Sequence, residues 1–229
     1  MYVKTYSYRF AEEILQHERH REAYNELMDI CKKCPIPVYQ GKSAKQKRLD
    51  VVQQLMNSYF YEAFKMHGWE EEPLATPDTN EDALRSDFRK SFHKEAIYGP
   101  ITVQIEVEFG NVASSYRNYF KFQLSYSYDL TDVCVLIVPS QHLCTRIDSG
   151  VSNYEKVLRE IPSAKLSITV PTLVIGLFDM DEDGVAEDEW NVKAECIDLE
   201  VIKGSKEAYF ERHTALIRSY IERISAMNN

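Results

Sequence analysis

Two apolar runs in the second half of the chain, DVCVLIVP at 132–139 and SITVPTLVIGLF at 167–178, constrain the fold more than any other feature. Each is too short to span a bilayer, and neither alternates as a half-exposed strand does. The first, bounded by Pro139, reads as a strand buried on both faces of a sheet, and the second as a further central strand. Upstream, Gly99-Pro100 signals a turn and ITVQIEVEF (101–109) alternates side by side. Ile101, Val103, Ile105, Val107 and Phe109 share one face; Thr102, Gln104, Glu106 and Glu108 share the other. That pattern predicts a half-buried strand. Helical spacing over 112–127 and 152–160 separates the three strands. Strands alternating with helices predict an α/β fold, a central mixed sheet flanked by helices.

The N-terminal half carries two helical patterns. One covers 10–33, with Ile14, Leu15, Tyr24, Leu27, Met28 and Cys31 at spacings of three and four, and Pro35 and Pro37 end it. The other covers 49–66, with Val52, Leu55, Met56, Tyr59, Ala63 and Phe64 on one side and Gly68 closing it. EEEPLATPDTN (70–80) is a loop. Residues 81–96 are ambiguous, because Leu84, Phe88 and Phe92 are spaced as on a helix yet the segment could end in a strand. A closing helix at 206–226 carries Tyr209, Phe210, Leu216, Ile217, Tyr220, Ile221 and Ile224, a face suited to docking on the body or on a partner. There is no internal repeat.

Composition sets the class. A chain of 229 residues with 44% hydrophobic side chains can bury a full core in one large domain. The net charge of −9 excludes a generic basic coat for nucleic acid or membrane. MYVKTYSYRF lacks an apolar signal core, which predicts a cytoplasmic protein, and an odd count of five cysteines fits reduced thiols. Most of the net charge sits in one loop, where Asp179, Asp181, Glu182, Asp183, Glu187, Asp188 and Glu189 precede Trp190 with no base among them. A loop of that charge should repel a polyanion and stand away from any surface that binds one.

The strongest chemical constellation is Glu106-Val107-Glu108. Carboxylates two residues apart on a strand leave the same face, roughly 6–7 Å apart. Such a pair calls for a cation, a shared proton or a basic partner. Mg²⁺ with a further oxygen ligand satisfies it, because Mg²⁺ prefers hard oxygen donors and keeps some waters. The alternative is the solvated face of an edge strand. Three weaker signals point nowhere further. Asp179-x-Asp181-x-Asp183-Gly184 begins like a calcium loop, but its twelfth position is Trp190. Cys31-x-x-Cys34 has no second pair at zinc spacing, and His17-x-x-His20 has no complementary ligands. No Walker loop, dinucleotide fingerprint or nucleophile elbow is present.

GPITVQIEVEFGNVASSYRNYFKF, DVCVLIVPSQHL, DSGVSNYEKVL and VPTLVIGL, in this order, resemble successive core segments of the BglII/BstYI-type restriction endonucleases. The shared features are Glu106-Val107-Glu108-Phe109-Gly110-Asn111 and a Ser-rich turn ending in Tyr-Glu, Asp148 to Glu155. The likeness reaches back through Ala63-Phe64-Lys65 and Gly68-Trp69 and covers roughly residues 10–178.

The resemblance implies a restriction-endonuclease-like (PD-(D/E)xK) domain over 1–178, with 179–229 as an extension packed on it. It implies a Mg²⁺-dependent type II enzyme acting as a homodimer on double-stranded DNA. Hydrolysis would leave 5′-phosphates at a short palindrome, GATC-centred with 5′ overhangs in the nearest resemblances. A cognate DNA methyltransferase is implied functionally, not as a binding partner, and no membrane is. The pattern departs from the family's at its last position, where Glu108 replaces Lys or Gln in a BamHI-like Glu-x-Glu. Asp87 and Glu106 would hold the metal, with Glu95 as the alternative to Asp87, and Glu72 would support them. Lys42, Lys45, Lys47, Arg48, Arg117 and Lys121 are candidates for phosphates, and Asn111, Ser149, Gly150 and Ser152 for base edges. Helix 112–127 would carry the dimer contact. The competing expectations are a non-catalytic DNA-binding protein of this fold, a repair or modification-dependent nuclease, and an acidic protein-interaction module.

Overall fold

The computed structural model describes residues 1–77, 83–92, 99–164, 167–193 and 206–227. Its centre is a six-stranded mixed sheet built from β1 (Tyr2–Tyr8), β3 (Glu70–Glu71), β4 (Phe88–Phe92), β5 (Ile101–Val107), β6 (Val133–Pro139) and β7 (Thr172–Phe178). The strand order is β1-β7-β6-β5-β4-β3. β5, β6 and β7 run parallel, while β4 and β1 flank them antiparallel. The α/β fold with a central mixed sheet is therefore as the sequence predicts.

The helices are α1 (Ala11–Gln16), α2 (Arg21–Lys32), α3 (Gln53–Met66), α4 (Val112–Ser127), α5 (Gln141–Ile147), α6 (Tyr154–Glu160) and α7 (Lys206–Met227). Alternation along the central strands divides the core in two. Val133, Val135 and Ile137 of β6 pack with α1, α2, α3, α5 and Ile217 of α7. Cys134, Leu136 and Val138 pack with Tyr119 and Phe122 of α4 and Tyr154 and Val157 of α6. Covering both faces explains why the run at 132–139 is apolar throughout.

Two expectations need correction, one open segment resolves as a strand, and one strand was not foreseen. Residues 10–33 form two helices, because α1 is pinned to β1 by Thr5 and Ser7 hydroxyls donating to Glu12 and Glu13. The chain then turns at His17 before α2 packs towards α3. β5 is buried on both faces, since α4 covers the side bearing Gln104 and Glu106. The ambiguous segment supplies a strand, β4, in which Phe88 and Phe92 share a face by the period of two. MYVKTYSY, read only for its lack of a signal core, is the edge strand β1.

The C-terminal extension docks on the body. β8 (Trp190–Asn191) pairs in parallel with β2 (Pro37–Val38). α7 lies on α3, where Arg218 Nε donates to the buried Glu62 at 2.7 Å and Tyr220 stacks on Trp190. Among the described residues no helix is long and apolar enough to cross a membrane.

Candidate active site

Glu106 and Glu108 leave β5 towards α4, and α4 meets each with its own side chain. The Lys121 ammonium donates to Glu106 Oε2, and the Asn118 amide donates to Glu108 Oε2 at 2.9 Å. Asn118 and Lys121 are three apart, hence on one face of the helix. Gly110 N–H closes the second oxygen of Glu108 at 2.6 Å. Both glutamates are buried, Glu106 at 1% exposure and Glu108 at 6%. Neither stands on a solvated edge.

Asp87 completes the cluster from the end of β4. In the antiparallel ladder Phe88 faces Ile105, so Asp87 comes level with Glu106. Its carboxylate accepts the Val107 backbone N–H at 2.8 Å. Burial, with the nearby Asp87 charge, pushes the Glu106 carboxyl up to about 8, and Lys121 pulls the other way. Glu108 is raised to about 6 by burial and Asp87, against the Gly110 and Asn118 hydrogen bonds. Acids raised in this way are a mark of catalytic carboxylates.

A cavity of about 230 Å³ opens beside them, lined by Asp87, Glu108 and Gly110 on the sheet side and by Gln53, Asn57 and Tyr61 of α3. The α3 amides are functional candidates that the sequence reading missed. The available signal was two amides four apart, hence on one face of the helix.

Among the described residues no three His, Cys, Asp or Glu side chains gather into a ready-made metal cage. The donor chemistry nonetheless fits a hard divalent cation. Glu106 Oε1 is buried without a hydrogen-bond partner, and Asp87 lies near enough to raise the Glu106 pKa. One or two carboxylates and several waters suffice for Mg²⁺.

The other named residues scatter. Glu72 is exposed beside Asp87, its N–H donating to the Asp87 carbonyl at 3.0 Å. Glu95 lies outside the described residues. Lys42 is an internal staple and not a surface cation: its ammonium donates to the Val51 and Ile147 carbonyls at 2.5 and 2.6 Å, and burial lowers its pKa to about 8. Lys121 is likewise buried, in the ion pair with Glu106. Lys45, Lys47, Arg48 and Arg117 are exposed.

The segment after Glu108 and the Ser-rich turn meet. Asn111 bridges to Val151, Val112 N–H donates to the Gly150 carbonyl, and Ser152 N–H donates to the Gly110 carbonyl. Gly150 supports this turn with φ of +79°, which glycine adopts without strain. Asn111 and Ser149 are exposed, but Ser152 is fully buried and its hydroxyl cannot reach a base.

The acidic loop starts at the same end of the sheet as the two glutamates and lies against the β1 edge through Glu182–Lys4 and Glu187–Met1 contacts. β7 is parallel to β5, so Asp179 leaves the sheet on the same side as Glu108, with β6 between them. Asp179 is buried, ion-paired with Arg146 at 3.0 Å and hydrogen-bonded to His142 at 2.9 Å; Arg146 also holds Asp50 and Glu189. Asp181 closes its own turn by accepting the Asp183 and Val185 N–H groups.

Comparison with known proteins agrees with this fold. The solved structure described as restriction endonuclease BglII complexed with a DNA 16-mer aligns at TM-score 0.61 and 18% identity, covering 80% of each chain. Free BglII aligns at TM-score 0.54 and 18% identity, covering 80% of this chain and 82% of that one. At that identity the likeness speaks for the fold. A search of curated proteins gives no match. The sequence model described as restriction endonuclease BglII/BglIII matches residues 3–177. With that match running from β1 to β7 and enclosing Asp87, Glu106 and Glu108, the chain belongs to the BglII/BglIII restriction endonuclease family.

Proposed function

We propose that the protein is a Mg²⁺-dependent type II restriction endonuclease that cuts both strands of DNA at a short palindrome. The observation that carries this reading is the meeting of Asp87, Glu106 and Glu108 at one strand end beside a cavity. Asp87 and Glu106 would hold the ion. When bound, Mg²⁺ supplies Lewis-acid polarisation of the scissile phosphate and an acidified water. Glu108 fixes and deprotonates the attacking water. Its pKa of about 6 leaves it mostly ionised above neutral pH yet basic enough to take a proton. The P–O3′ bond breaks, leaving a 5′-phosphate and a 3′ oxygen that is protonated from solvent.

DNA contact falls to Lys45, Lys47, Arg48 and Arg117 for phosphates, and to Asn111 and Ser149 for base edges. Two copies pair through α4, where the Tyr116 and Phe120 rings are 54% and 57% exposed one turn apart. A two-fold dimer matches a palindromic site. A cytoplasmic location and a cognate methyltransferase go with this function.

The test is digestion of a plasmid of known sequence with Mg²⁺ and mapping of the ends. Cutting at one short palindrome by the wild type, lost in Glu106→Ala and Glu108→Ala, supports the reading. Retained cutting by both variants, or none by the wild type, overturns it.

A further inference from the structure

We propose that Lys121 is a positioning residue of this site: its ammonium is the resident counter-ion of Glu106, yields that place to the divalent cation, and then provides beside Glu108 the positive charge that the motif's last position lacks. The proposal rests on the metal-dependent reading above. Four observations support it.

Glu106 and Lys121 are closed off together at 1% and 8% exposure, the ammonium donating to the Glu106 carboxyl out of reach of water. The pairing is half complete. Lys121 satisfies Glu106 Oε2, while Oε1 stays buried without a hydrogen bond. That leaves an oxygen on the same carboxylate for a second cation.

Lys121 also shares its helix face with Asn118, the residue that holds Glu108, and its charge acts on Glu108 as well as on Glu106. A short movement along α4's surface takes the ammonium from one glutamate towards the other. Finally, the side-chain type suits the task. Lysine is a compact charge on a flexible four-carbon stem, free to re-aim. Arg89, a second cation beneath α4, is spent on the Leu74 carbonyl and the Gln104 side chain.

An ammonium and a divalent cation repel each other, so metal loading and the Glu106–Lys121 pair oppose one another. Removing the lysine therefore has effects of opposite sign on two measurements. Lys121→Met should bind Ca²⁺ at least 3-fold more tightly by calorimetry at pH 8.5. The same variant should cut plasmid at least 10-fold more slowly at saturating Mg²⁺. Lys121→Arg, which keeps the charge, should return Ca²⁺ affinity to the wild-type range and recover part of the rate. A purely structural role predicts weaker metal binding and slower cutting together.

Should Lys121→Met fail to fold, the wild type carries the test. Pulse acylation with acetic anhydride, read by peptide mass spectrometry, should label Lys121 several-fold faster with Ca²⁺ than with EDTA, while labelling of Lys33 stays constant. Ca²⁺ binding with unchanged Lys121 labelling, or with unchanged affinity in Lys121→Met, overturns the proposal and leaves the nuclease reading standing. No Ca²⁺ binding by wild type or variant, with no Mg²⁺-dependent cutting, overturns both.

Discussion

Asp87 accepts the backbone N–H of Val107 at 2.8 Å, reaching the one residue that separates the motif's two glutamates. The aspartate thus has two separable duties, one as a hydrogen-bond acceptor that fixes the end of β5 and one as a charge. Asp87→Asn keeps the first and removes the second. It should lower plasmid cleavage by at least about 100-fold while leaving stability within about 1 kcal/mol of wild type. Asp87→Ala should lose both, melting lower as well. Cleavage assays and thermal denaturation on the two variants check this.

The raised Glu106 carboxyl makes metal-free stability depend on pH. Its folded pKa is about 8, against an ordinary 4.5, so between these values the folded chain holds a proton that the unfolded chain has released. Stability from this group is present below about pH 4.5 and is lost as pH rises towards 8. Urea denaturation in EDTA at pH 5.5 and 8.5 should show wild type losing at least about 1 kcal/mol relative to Glu106→Gln. Metal binding must also expel that proton, so apparent Mg²⁺ affinity should rise through the same range.

Lys42 and Lys45 lie three residues apart in one basic stretch and should behave oppositely. Lys42→Met removes two hydrogen bonds to buried carbonyls and should destabilise the fold by about 1–3 kcal/mol. Its effect on the salt dependence of DNA binding should be small. Lys45→Ala should leave stability unchanged and reduce the slope of log K against log salt by about 1. Titrations at several salt concentrations, beside melting curves, separate the two.

The exposed rings on α4 should matter to assembly. Tyr116→Asp combined with Phe120→Asp places charge on the paired face and should convert a dimer to a monomer by sedimentation. Cutting of both strands in one binding event should fall with it, leaving nicked circles. Dimerisation unchanged in the double variant would move the interface elsewhere.

The strands were the legible part of this fold, for a physical reason. β6 and β7 are covered on both faces, so all their side chains but Thr172, at the start of β7, are apolar, and β5 alternates up to its two carboxylates. β1 escaped notice because it is a sheet edge whose Tyr, Lys, Thr and Ser side chains are only partly buried. β4 was ambiguous because Phe88 and Phe92, four apart, share a face in a helix and in a strand alike.

At the candidate site the pair Glu106 and Glu108 could be read from period two alone. What surrounds them could not. Lys121 looks like a surface cation on a helix until α4 is laid over β5. Lys42 looks like a phosphate contact until the carbonyls of Val51 and Ile147, the latter over a hundred residues away, close on it. Arg146 gathers Asp50 from one distant segment and Asp179 and Glu189 from the two ends of the acidic loop, so a loop that seemed free is tied to the body. Long-range pairing of charges leaves no periodic trace.

The helix that walls the candidate cavity with Gln53 and Asn57 is clasped by α7, through Arg218 on Glu62 and Tyr220 against Tyr59. That clasp comes from beyond the family-wide match, which stops at residue 177. A tail outside that match is thereby built into the scaffolding of the candidate site. Grafting or trimming the enzyme at the family boundary would leave one wall without its buttress.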